Sequence, residues 1–197
     1  MAPGRSWDVL LIGGASGVGK TSVSYRIAHH FRVGITEIDD FQVLLERMTT
    51  PSQYPALHFW PTHPAPETLE PEEVFRRILG IGSELEPGIA AVVKDHLVAH
   101  TPVVLEGDFL HPAFLARLQR DASGSRVRAI VIDEGDEAQI LENFLRREPD
   151  AGRQEKRARV SWLYASWLRD EANRAGVTVV TSRPWSTTLE RVLEALA

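Results

Sequence analysis

The apolar positions of this chain fall into short runs separated by stretches with helical spacing. Val9-Leu10-Leu11-Ile12 is the first run, and Ser22 to Phe31 after it reads as a helix. Four more runs repeat the pattern: Val33 to Ile38, Pro102 to Leu105, Val127 to Ile132 and Val177 to Thr181. Short apolar strands alternating with helices predict an α/β domain of three layers, a five-stranded parallel sheet with helices on both faces. Two segments are too long to be plain connections. Residues 42–100 hold a Pro- and aromatic-rich stretch from Pro51 to Pro64, then a helix over 71–79 and a second from about 85 to 100. Such an insertion overhangs the carboxyl ends of the strands. Residues 146–159 are arginine-rich and lead into Val160, Leu163, Tyr164, Trp167 and Leu168, a one-sided stripe that reads as core packing.

The turn after the first strand carries specific chemistry. Gly14-Ala15-Ser16-Gly17-Val18-Gly19-Lys20-Thr21 matches G-x-x-x-x-G-K-[ST], flanked by a strand and a helix that begins with Ser22. Glycines there let backbone N–H groups face phosphate oxygens, and the helix N-terminus adds unpaired donors and a positive dipole end. Lys20 is expected to neutralise the β- and γ-phosphates and the Thr21 hydroxyl to reach Mg²⁺.

In such sheets ligands bind beyond the strand ends, where this chain places acids. Asp39-Asp40 closes the second run, and a carboxylate there is placed to take the proton of an attacking hydroxyl; the bland role is a helix cap, for which Asp40 is the better candidate. Glu106 ends the third run and Asp133-Glu134 the fourth, and either is a candidate to hold Mg²⁺; Gly107 and Asp108 favour Glu106. Arg146, Arg147 and Arg153 suit a lid over a transferring phosphoryl group, although acidic neighbours allow a solvated helix face. Arg183-Pro184, after the last run, is a candidate to flank a nucleotide base. His96 and His100 have metal-ligand spacing without a third ligand; His58 and His63 bracket Trp60 as candidates to line a substrate pocket and His111 to point toward Glu106 and Asp108, with a polar surface role the default for all three.

Composition narrows the setting. The 197 residues suffice for one domain, and 43% hydrophobic with 25% charged residues is ordinary for a globular chain. A net charge of -5 argues against general nucleic-acid binding. The absence of cysteine excludes disulfides and thiolate zinc, which suits a cytoplasmic setting, and the first eight residues fit neither a signal peptide nor a membrane span.

Together these positions resemble the small-molecule P-loop kinases, a group that includes uridine, nicotinamide riboside, shikimate and gluconate kinases, chloramphenicol phosphotransferase and 2-phosphoglycerate kinase. The resemblance rests on Gly14 to Thr21, Asp39 two residues before Phe41, Leu105-Glu106-Gly107, and the arginines of 146–159 ahead of a long helix. The stretch from Glu106 to Pro112 suggests the 2-phosphoglycerate kinase type. The resemblance implies ATP and Mg²⁺ as cofactors, a small-molecule acceptor, Asp39 as base and Glu106 on the magnesium side. The alternative is an AAA-like ATPase with Asp133-Glu134 as its hydrolytic acids, coupled to a protein partner. Neither Asn143 nor Asn173 precedes a lysine, so the guanine motif Asn-Lys-x-Asp is absent.

Overall fold

The computed structural model describes residues 4–63, 65, 68–122 and 126–197. Residues 1–3 of the amino-terminal stretch and Pro64 of the aromatic-rich stretch lie outside them. Five strands, β1 (Val9–Gly13), β2 (Gly34–Glu37), β3 (Val103–Gly107), β4 (Val127–Asp133) and β5 (Thr178–Thr181), form one sheet in the order β2-β3-β1-β4-β5. Every pairing is parallel, with Gly13 opposite Gly107 on one side and Val131 on the other. The central strands β1 and β3 are buried at every position, which explains their unbroken apolar runs. The edge strands β2 and β5 are four residues each and partly exposed.

On one face α1 (Lys20–Phe31) meets α8 (Thr188–Leu196). On the other, α7 (Glu155–Ala175) contacts both α4 (Pro71–Ala99) and α5 (Pro112–Asp121). Further helices among the described residues are α2 (Ile38–Met48), the short α3 (Phe59–Thr62), α6 (Glu137–Arg147) and a 3-10 turn at Trp185–Thr187. Among the described residues, no helix is long and apolar enough to cross a membrane.

Two boundaries differ from expectation. The second strand ends at Glu37, and Ile38 opens α2, because its fully buried side chain wedges against Gly107, where a Cβ would come within 2.6 Å of it. Asp39 and Asp40 therefore occupy the first turn of α2, and Glu37, not Asp40, is the N-cap residue. There the acids complement the helix dipole. The two helices expected over 71–79 and 85–100 are one helix of 29 residues, roughly 43 Å long. Pro87 sits inside it and removes one backbone bond. Ile81, Leu85, Ile89 and Val93, spaced four apart and buried on one face, carry the helix through.

Candidate active site

The loop between β1 and α1 is fitted for close backbone approach. Gly17 and Gly19 have φ of 79° and 91°, in the left-handed region that favours glycine. A Cβ on Gly17 would lie 2.9 Å from the Phe144 ring, and one on Gly19 would overlap the Trp185 ring. The loop is also tethered from outside: Asn143 Nδ2 donates to the Gly17 carbonyl at 2.9 Å, and Ser161 Oγ donates to the Ser16 carbonyl. Helices α6 and α7 thus each hold one backbone carbonyl of the loop.

Lys20, only 7% exposed, projects into a cluster of acids. It forms an ion pair with Asp108, and its Nζ lies 3.9 Å from Glu106 Oε2. Burial alone would lower its pKa, but Asp108 and Glu106 more than offset this and hold it above the usual lysine range. Glu106, buried in β3, is pushed above the carboxylate range by burial, against the pull of Lys20 and a hydrogen bond from Thr21. Its Oε2 has no hydrogen-bond partner. Asp39 is open to solvent, yet neighbouring protein strips part of its hydration; that loss, with Asp108, raises its carboxyl above the usual range against the pull of Lys20. The structure thus gathers Lys20, Thr21, Glu106 and Asp39 at one end of the sheet and adds Asp108.

Beside this cluster opens a cleft of about 550 Å³. Ser16 of the loop and Asp108 after β3 line it, Trp60, Val74 and Ile78 come from the insertion, Phe144 from α6, and Arg153, Lys156, Arg157, Val160, Ser161 and Tyr164 from the lid segment and α7. The aromatic stripe of α7 therefore does more than pack the core: Tyr164 and Val160 wall this cleft. The Tyr164 hydroxyl donates to the backbone carbonyl of Asp108, which ties α7 to the end of β3. Burial, and then Asp108, pushes that hydroxyl well above the tyrosine range.

The lid arginines divide. Arg146 at the end of α6 pairs with Glu142 at 2.6 Å, and Arg147 pairs with Glu148 at 2.8 Å. Arg153 lies between the helices and lines the cleft, as does Arg157, whose guanidinium sits 4.3 Å over the Phe144 ring. On the far side of β1, Asp133 faces Arg169 at 3.4 Å. Glu134 holds Arg183 through two contacts of 2.8 Å and accepts from Ser182 Oγ at 2.9 Å. Arg183 thereby grips the acids after β4, and its peptide bond to Pro184 is cis. Glu106, not Asp133, stands beside Thr21 and Lys20.

The surface role expected of His58 and His111 is corrected. Both are buried. His58 bonds Thr49 Oγ1 at 2.9 Å, and His111 lies 3.7 Å from Glu86, its ring edge-on to Trp167. It does not point toward Glu106. His96 bonds the Thr101 carbonyl and His100 meets Arg126, so the i, i+4 pair serves local structure. Residues that sequence reasoning passed over, or left outside the site, are Asp108, Asn143, Ser161, Tyr164 and the insertion's Trp60, Val74 and Ile78. A polar residue on the apolar face of a helix was the available signal for Asn143 and Ser161; Trp60 and Ile78 carried none.

No family model matches the sequence. Curated relatives do. A 2-phosphoglycerate kinase of Methanothermobacter thermautotrophicus is 24% identical over 204 residues, covering 95% of this chain and 65% of its own length. A protein of the same name from Methanocaldococcus jannaschii is 25% identical over 206 residues, covering 100% of this chain and 65% of its own length. The chain thus spans just under two thirds of the length of these relatives. Among solved structures, a gluconokinase from Sinorhizobium meliloti superposes with a TM-score of 0.57 at 18% identity, covering 98% of this chain and 93% of that one.

Proposed function

We propose that this chain, which has the fold of the small-molecule P-loop kinases and relatives named as kinases, is an ATP- and Mg²⁺-dependent phosphotransferase acting on a hydroxyl of a small molecule. The observation that carries the reading is the cleft. A hydrolase needs space for water beside the phosphate loop, whereas here a cleft of about 550 Å³ opens next to it, reaching Ser16 and Asp108.

The residues fit the cofactors. Gly17 and Gly19 put no Cβ at the two left-handed positions of the loop, and Lys20 brings a buried cation. Mg²⁺ keeps several waters and takes few protein ligands, so Thr21 and Glu106, whose Oε2 accepts no hydrogen bond, would suffice on the protein side. ATP with Mg²⁺ would supply the phosphoryl group and neutralise the charge that develops on it.

Gly14, Ala15, Ser16, Gly17, Val18, Gly19, Thr21 and Ser22 would hold the phosphates through backbone and hydroxyl groups, and Lys20 would neutralise them. Asp39 would receive the acceptor's hydroxyl proton on its carboxylate; a raised pKa makes it a better base than an ordinary aspartate. Arg153, with Arg146 and Arg147 once freed of their glutamates, would cover the phosphates and exclude water. Arg183-Pro184 would flank the base. The relatives' name makes a phosphorylated hydroxy acid one acceptor to try.

The test is phosphoryl transfer by Asp39→Asn and Glu134→Gln variants, with wild type alongside. A general base is worth about 10²–10⁴-fold, so Asp39→Asn is expected to lose turnover on that scale while Glu134→Gln retains most of it. Full turnover by Asp39→Asn, with none by Glu134→Gln, would sink the assignment and favour a hydrolytic ATPase.

A further inference from the structure

We infer that the acceptor carries an apolar body, an aromatic or alicyclic ring next to its reacting hydroxyl, and is not a small polyanion such as 2-phosphoglycerate. The inference rests on the kinase reading for where that hydroxyl goes. Its own ground is the chemistry of the cleft walls.

A cleft of about 550 Å³ is of the size that takes a ring compound. Its insertion wall is Trp60, Val74 and Ile78, and its α7 wall is Val160 and Tyr164. Tyr164 is buried, lies flat against Trp167 (centroids 5.9 Å apart, planes at 13°), and has its hydroxyl taken up by the Asp108 carbonyl. Trp167 in turn meets the edge of His111 at 5.1 Å. This wall is backed by aromatic packing, and its polar tip already has a partner, so it offers a ligand apolar surface.

The cations of the cleft are unevenly placed. Arg153, Lys156 and Arg157 all come from one exposed stretch of the lid, and the acid that lines the cleft, Asp108, is already ion-paired with Lys20. A small acceptor with both a carboxylate and a phosphate finds cations on that one strip only, and Trp60, Val74, Ile78, Val160 and Tyr164 would strip hydration from a charge without replacing it. A ring laid between Tyr164 and Ile78 avoids this and leaves a hydroxyl at Asp108 and Ser16, beside the phosphate loop. There the new O–P bond forms, the bond from the γ-phosphorus to the departing ADP oxygen breaks, and the hydroxyl proton passes to the Asp39 carboxylate, which belongs to the same cluster as Asp108 and Lys20.

Phenyllactate and lactate differ only by the ring, so they isolate its contribution. Their binding, with that of 2-phenylethanol and 2-phosphoglycerate, is measured by calorimetry on the whole chain saturated with Mg²⁺ and a non-hydrolysable ATP analogue, and transfer from ATP is followed by phosphorus NMR. Burial of the ring predicts at least about tenfold tighter binding of phenyllactate than of lactate or 2-phosphoglycerate. Trp60→Ala and, independently, Ile78→Ser are expected to shrink that preference at least about threefold, with nucleotide affinity as the folding control. Binding of 2-phosphoglycerate equal to or tighter than that of phenyllactate, or no preference for phenyllactate over lactate, overturns the inference and leaves the kinase reading standing. Ring preference with no phosphoryl transfer to any of the four compounds upholds the apolar site and overturns the kinase reading instead.

Discussion

Lys20 and Asp108 form an ion pair where the phosphate loop meets the cleft. Asp108 also lines that cleft, and its backbone carbonyl accepts the hydrogen bond of Tyr164. A single residue therefore joins the cation of the loop to the acceptor wall. In a transfer reaction the phosphates compete with Asp108 for the ammonium, and a carboxylate released from Lys20 would face the acceptor end of the cleft.

Replacing that carboxylate separates the two roles. In Asp108→Asn the ammonium keeps Glu106 as its remaining close acid, at 3.9 Å. Nucleotide affinity is expected to hold or rise, because phosphate no longer displaces an ion pair, while turnover falls at least about tenfold through loss of a group at the acceptor end. Calorimetric titration and steady-state kinetics on the same preparation read both. Weakened nucleotide binding with unchanged turnover would mean that Asp108 serves the loop alone.

How much of this was legible beforehand follows from the range of the interactions. The buried strands announced themselves because both faces are covered, so each is apolar at nearly every position. The loop from Gly14 to Thr21 was legible because its chemistry lies within eight consecutive residues. Arg146 could have been paired with Glu142 by helical spacing alone. The cleft could not be read in this way. Its walls come from α3, α4, the end of β3, and α7, and only tertiary packing brings Trp60, Ile78, Asp108 and Tyr164 together. The gap expected between residues 79 and 85 is absent for a related reason: the burial of Ile81, Leu85 and Ile89 against the rest of the fold carries one helix through it.

The pH profile tests Asp39. Only the ionised carboxylate accepts a proton, so kcat/KM is expected to rise with pH along an acid limb lying above the ordinary aspartate value of about 3.9. The limb is displaced upward by loss of hydration and then by Asp108, with Glu37 and Asp40 adding to it and Lys20 opposing. Removing a negative neighbour makes ionisation easier. Glu37→Gln, which keeps an acceptor for the Tyr25 hydroxyl at 2.8 Å, should therefore move the limb to lower pH. An acid limb that persists unchanged in both Glu37→Gln and residual Asp39→Asn activity belongs to another group.

Gly19 and Gly152 give a matched test of loop geometry. Both have positive φ, 91° and 73°, but a Cβ on Gly19 overlaps Trp185 while one on Gly152 meets nothing within 4 Å. Gly152→Ala measures the dihedral cost alone, about 1–2 kcal/mol. Gly19→Ala adds the collision and is expected to exceed it, lowering Tm by several degrees more and weakening nucleotide binding as the loop shifts. Thermal melts of the two variants decide this; equal losses would show that Trp185 yields freely.

Glu106→Gln should part stability from activity. Burial holds the Glu106 carboxyl above its unfolded value despite Lys20 and Thr21. Between the two values the folded state binds more protons than the unfolded chain, so this group's contribution to stability falls as pH rises from about 4.3 toward the folded pKa. At neutral pH the ionised side chain is thus a net burden on folding, which the neutral amide of similar shape relieves. The variant is expected to melt at or above the wild-type temperature near pH 7, with the advantage vanishing as both are taken to pH 4. If Glu106 handles Mg²⁺, the same variant should lose about 10–100-fold in turnover and need more Mg²⁺ for half-maximal rate. A lower Tm at neutral pH would show that the charge of Glu106 is held chiefly to stabilise Lys20, and an unchanged Mg²⁺ requirement would remove it from the metal side of the site.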